Sequence, residues 1–166
     1  MIYAVGVPLL ALLAVLQSSI LSYMRLLDGR PDLVLIAIVA WGLTGRARET
    51  MVWGLIGGLF LDLFSGFPAG ASALVFILIA YLVSFLEGRF WEANLLLPLV
   101  VMLIASLVYH FFGFGVIALS GRGVDFVMAL TRIILPSTFL NLLLALPVSQ
   151  LAKSVYLRFF PPEVSI

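Results

Sequence analysis

The chain has 166 residues, 64% hydrophobic and only 10% charged, with a net charge of +1 and a mean hydropathy of +1.25. Soluble domains run near 45–50% apolar and about 25% charged, so composition alone assigns an integral membrane protein. Zero cysteines exclude disulfides and thiolate sites, a single histidine excludes a histidine metal cluster, and the near-neutral charge excludes a basic nucleic-acid face.

Apolar segments separated by charged or turn-rich breaks fall at about 2–24, 33–45, 51–65, 70–86, 95–119 and 130–152. They predict an all-α polytopic transmembrane bundle of about six spans, one integral membrane domain over 1–166. The first segment lacks a basic n-region and a small-x-small cleavage site, which makes it a retained helix rather than a removed signal. It carries Gln17 near its end. The Pro31-Asp32-Leu33 step reads as a turn into the second helix, with proline where its missing N–H costs nothing.

The second segment, LVLIAIVAWGLTG, reaches only about 20 Å against a hydrocarbon core of roughly 30 Å. Either Arg46 and Arg48 snorkel, or the second and third segments form a shallow hairpin. The third segment runs into GLIGGLFLDLFSGFPAG, where Gly54, Gly58, Asp62 and Gly66 fall four apart on one helix face. With Gly57 and Ser65 they form a small-residue surface, suited to packing within the chain or to docking a partner helix. An ionisable group at membrane depth costs roughly 2.5–3.5 kcal/mol, so Asp62 needs a partner. Candidates are Arg25, Arg30, Arg132 and the backbone donors of the following turn; the functional alternative is a pocket or proton site.

His110, in LVYHFFGFG, reads as a hydrogen-bonded packing histidine, and Asn141 in the last helix as an interhelical donor. Pro98, Pro136 and Pro147 are tolerated kinks. Tyr23, Trp41, Trp53, Phe90, Trp91 and Tyr156 fall at expected interfaces and read as membrane anchors. With a cytoplasmic N-terminus, Arg46, Arg48, Arg89, Lys153 and Arg158 lie inside and Arg25, Arg30 and Arg122 outside, a modest positive-inside bias that puts both termini inside. In that orientation Gln17, Asp62, His110 and Arg132 share the outer half, where they form a candidate polar cluster. No G-x-S-x-G elbow, H-E-x-x-H pair or paired catalytic aspartates occur, so no enzyme and no cofactor are expected.

Taken together, PDLVLIAIVAWGL at 31–43, the Gly-rich helix with Asp62, Ser65, Gly66, Pro68 and Gly70, and the following ASALVFILIAYLVSFLEG resemble the MreD family of rod shape-determining proteins. The resemblance covers about residues 16–88 by motif, Gln17 included, and the last two helices by hydropathy. It implies a bacterial plasma-membrane component of the cell-elongation machinery, which binds the scaffold MreC and helps couple MreB filaments to peptidoglycan synthases. A homo-oligomer is compatible with it. The six-helix arrangement is also similar to the S-component, the substrate-capture subunit, of energy-coupling-factor vitamin transporters. On that rival expectation Gln17, Asp62, His110 and Arg132 line an outward pocket, and Ala4, Ala11 and Ser18 meet a transport partner; a third expectation is a site for membrane lipid or an undecaprenyl carrier on the same polar cluster.

Overall fold

A computed structural model describes residues 2–19, 21, 23, 26–65, 67–85, 96–121 and 123–160. The second apolar segment is hydrophobic on every side, and a helix of that kind belongs where protein surrounds it. It forms α2 (Leu33–Gly42), in which Val34, Leu35, Ile36, Ile38, Val39, Ala40, Trp41 and Gly42 are all buried. Every other helix packs on it: α1 (Ile2–Ser19), α3 (Ala47–Ser65), α4 (Ala71–Ser84), α5 (Leu96–Leu119) and α6 (Phe126–Phe159). The described residues contain no β-strand. The six expected helices are present, and α5 and α6 are long and apolar enough to cross a bilayer.

The short reach of α2, about 15 Å at 1.5 Å per residue, follows from this central position. Its ends meet protein groups instead of headgroups. The following helix begins earlier than expected because Arg46 and Glu49 pair at 2.8 Å across one turn, and the Thr50 hydroxyl donates to the Arg46 carbonyl at 2.8 Å.

The tightest helix pair is α3 with α4. A β-carbon at Gly54 would sit 2.9 Å from the Phe76 carbonyl oxygen, and one at Gly58 would collide with Ala73 Cα. Gly57 faces the other way, where a β-carbon would lie 2.7 Å from Val34 Cγ1 and 3.4 Å from Leu10. Without a hydrophobic driving force between helices in lipid, such close backbone approach supplies much of the attraction. The tight turn before α4 uses Gly70 at φ +91°, a conformation that other residues adopt only under strain.

Helix α6 starts at an N-cap, Asp125, whose carboxylate accepts from Met128 N at 2.7 Å, and becomes π-helical over Leu130–Ile134. Pro136 has no N–H to give the carbonyl of Arg132, four residues back. The freed Arg132 carbonyl instead accepts from Asp28 N at 3.1 Å, so the proline that irregularises the helix also attaches the 26–32 connection to it. The Leu26–Gly29 turn there places Leu27 at φ +56° and wedges buried Gly29 against Pro136 and Ser137.

Two expected anchors lie elsewhere. Trp41 and Trp53 are 5% and 6% exposed and stack at 4.8 Å, with Trp53 pressed onto Gly6. The slot left by the missing Gly6 side chain receives the indole, so both rings serve as core. Tyr23 is exposed and Tyr156 stacks on Phe160 at 5.5 Å. Phe90, Trp91, Arg25, Arg89 and Arg122 lie outside the described residues.

Candidate functional site

The polar side chains of the bundle converge at the end where α2 and α4 begin. At the centre is Asp32, the N-cap residue of α2, with 4% exposure. Its Oδ1 accepts from Gln17 Nε2 of α1 at 3.3 Å, and its Oδ2 accepts from Asn141 Nδ2 of α6 at 2.9 Å. His110 Nε2 of α5 stands 3.3 Å from the same Oδ2. The backbone joins in: Asp32 N donates to Asn141 Oδ1 at 2.7 Å, and Val34 N donates to Gln17 Oε1 at 3.2 Å. Gln17 thus caps α2 from a neighbouring helix, satisfying an N–H that α2 leaves without an intrahelical acceptor.

A second layer closes the network. Asn141 Nδ2 also reaches Ser106 Oγ at 3.1 Å, and His110 Nδ1 lies 2.7 Å from the Ser106 carbonyl oxygen. A carbonyl only accepts, so the Nδ1 side of His110 donates to Ser106 while Nε2 faces the Asp32 carboxylate. Buried polar groups of this kind are costly unless every member is satisfied, and here the members satisfy one another. The network clasps α1, α2, α5 and α6 together.

Of the four residues expected to share a polar cluster, Gln17 and His110 meet on Asp32, whereas Asp62 and Arg132 do not join them. Asp62, 7% exposed, accepts from Gly70 N at 2.8 Å and Ser72 N at 3.0 Å. These are backbone donors of the turn, and the carboxylate caps α4 across the α3–α4 hairpin. Arg132 lies outward on α6 with its side chain 59% exposed, 3.9 Å from Asp28. It lies in the π-helical turn Leu130–Ile134, whose extra residue shifts the register of the preceding positions relative to Asn141, so shared depth does not bring Arg132 to the Asp32 face.

The expected small-residue face splits by direction. Gly54 and Gly58 are filled by α4, Gly57 by α1 and α2, so these glycines pack within the chain. The side chain of Ser65 and all of Gly66 lie outside the described residues. Asp32 is the residue that sequence reasoning missed as a site. The available signal was an ionisable group directly before ten uninterrupted apolar positions.

Beside the network opens a half-open cavity of about 350 Å³, between α4, α5, α6 and the 26–32 connection. Asp28, Arg30, Asp32, His110 and Ser137 line its polar side, and Phe67, Phe112 and Phe114 its apolar side. No group of three or more histidine or acidic residues able to hold a metal occurs among the described residues.

The fold and this buried polar clasp define a helical-bundle membrane protein whose two buried aspartates, Asp32 and Asp62, are spent on joining helices. A family model for the rod shape-determining protein MreD matches residues 1–155. The chain belongs to the MreD family and is a membrane protein of the bacterial rod-shape machinery. Comparison with curated proteins and with solved structures gave no match.

Proposed function

We propose that the chain is a non-enzymatic adaptor in the bacterial cytoplasmic membrane, multi-pass with both termini cytoplasmic. It binds the scaffold MreC and, through it, links MreB filaments to peptidoglycan synthases. The observation that carries this reading is the family match along residues 1–155. The apolar exterior supports it as well: α1 exposes Val5, Leu9 and Leu12 at helical spacing, a face on which another transmembrane helix can lie. Gly54, Gly57, Gly58 and Asp62 then hold the bundle rigid beneath such a face instead of forming it.

Co-purification from native membranes in mild detergent, with mass spectrometry of proteins and small molecules, tests the proposal. Recovery of a coiled-coil scaffold protein is expected. The half-open cavity favours a second reading, the substrate-capture subunit of an energy-coupling-factor vitamin transporter. Recovery of an ATPase module with a retained vitamin establishes that reading and overturns the adaptor.

A further inference from the structure

The cavity beside Asp32 has a volume of about 350 Å³, within the range of small-molecule sites. Its charges are unevenly committed. Both Asp32 carboxylate oxygens are taken by Gln17, Asn141 and His110, whereas Asp28, 44% exposed, stands at the cavity rim 3.9 Å from the exposed Arg132. Arg30 also lines the cavity, and among the described residues its guanidinium has no ion pair. Ser137 Oγ accepts from Arg30 N at 3.0 Å, which leaves the hydroxyl proton to donate into the same space. Opposite these donors stand Phe67, Phe112 and Phe114, and Gly113 contributes no side chain.

A guanidinium fork and a hydroxyl donor, with the buried Asp32 carboxylate already occupied and Asp28 turned to solvent at the rim, match an anion rather than a cation. We propose that the cavity binds a phosphate-class anion, its oxygens on Arg30 and Ser137, and any apolar portion against the phenylalanines. The inference holds under either functional reading above. Two sources share this chemistry, the headgroup of a membrane lipid and a free phosphate.

The test uses the full chain in detergent, with dioctanoyl phosphatidic acid, dioctanoylglycerol and inorganic phosphate as probes, followed by native mass spectrometry and thermal melting. Dioctanoyl phosphatidic acid is expected to bind saturably at one equivalent, and dioctanoylglycerol about tenfold more weakly or not at all. Arg30→Gln should weaken phosphatidic acid about tenfold, with Arg30→Lys recovering part of the loss because it keeps charge but not the fork. Gly113→Leu, which fills the cavity and leaves Arg30 intact, should weaken it similarly and keeps the test valid if the arginine variants fold poorly. Inorganic phosphate that competes at similar concentration identifies a free anion as sufficient; failure to compete identifies the lipid. Equal binding of the neutral and acidic probes, or folded Arg30→Gln and Gly113→Leu proteins that bind like the parent, overturns the proposal.

Discussion

The two ends of the bundle bury polar atoms in opposite ways. At the Asp32 end, one carboxylate is met by side chains from three other helices, and a second, Asp62, caps a helix from its neighbour. At the Trp41 end lies an apolar groove of about 190 Å³ beside the stacked indoles. There Trp41 Nε1, Trp53 Nε1, Ser149 Oγ and Glu49 Oε2 are buried without partners among the described residues, while only Thr138 Oγ1 is so placed toward the other end. One end is therefore held by side-chain hydrogen bonds between helices that specify a single arrangement, the other chiefly by shape, supplemented by the Arg46–Glu49 pair and the Arg46 guanidinium 3.6 Å from the Phe160 ring centroid. Directional contacts fail sharply when one member is removed, whereas shape contacts yield gradually.

The largest effect is expected at the hub. Asp32→Ala removes the carboxylate on which Gln17, Asn141 and His110 meet, so that Gln17 Nε2 loses its acceptor and Asn141 Nδ2 keeps only Ser106 Oγ, at a cost of about 3–5 kcal/mol. Helical circular dichroism during SDS titration of the purified chain measures it. A loss below about 1 kcal/mol, the level of an ordinary intramembrane hydrogen bond, means that the network is not cooperative. Next comes Gln17→Leu, which keeps volume but frees Asp32 Oδ1 and Val34 N together, expected at about 2 kcal/mol in the same titration. An unchanged midpoint there refutes the cross-helix cap.

The asymmetry also marks what was legible in the sequence. Hydropathy located all six helices, because apolar runs broken by charges signal helices whether lipid or protein surrounds them. For that same reason it did not show that α2 is central, and it made Trp41 and Trp53 look like interface anchors. Gln17, His110 and Asn141 stood out as polar residues within apolar runs. Asp32 did not, since a Pro-Asp step at a segment boundary also describes an ordinary exposed turn; its burial depends on α5 and α6, far along the chain. Arg132 was placed with Asp62 by depth alone, and depth carries no information about which way a side chain points.

A smaller effect is expected at Asp62. Asp62→Asn retains one oxygen acceptor and so keeps one of the two bonds to Gly70 N and Ser72 N, for a loss of about 1 kcal/mol, in the range of helix-cap substitutions. Asp62→Ala should lose more, up to about 2 kcal/mol. If Asn and Ala are equivalent in SDS titration, the carboxylate is not acting as a cap. Binding of phosphatidic acid should be altered little by Asp62→Asn, because the Asp62 carboxylate is engaged by the turn and the Arg30 donors remain.

The smallest effect is expected at the opposite end, where it is the most discriminating. Trp53→Phe removes ring volume next to Gly6, which on its own costs on the order of 1 kcal/mol in a packed core. It also removes an indole N–H that is buried without an acceptor, and relief of that desolvated donor is worth about 1 kcal/mol in the other direction. The two nearly cancel, so the midpoint should shift by less than about 0.5 kcal/mol. A residue 6% exposed and stacked on its neighbour thus becomes easier to truncate than Gln17, which is similarly buried at 2% but has both ends of its amide hydrogen-bonded. If Trp53→Phe instead costs as much as Gln17→Leu, the indole N–H is being satisfied in the membrane, and the Trp41 end is held by directional bonds as well.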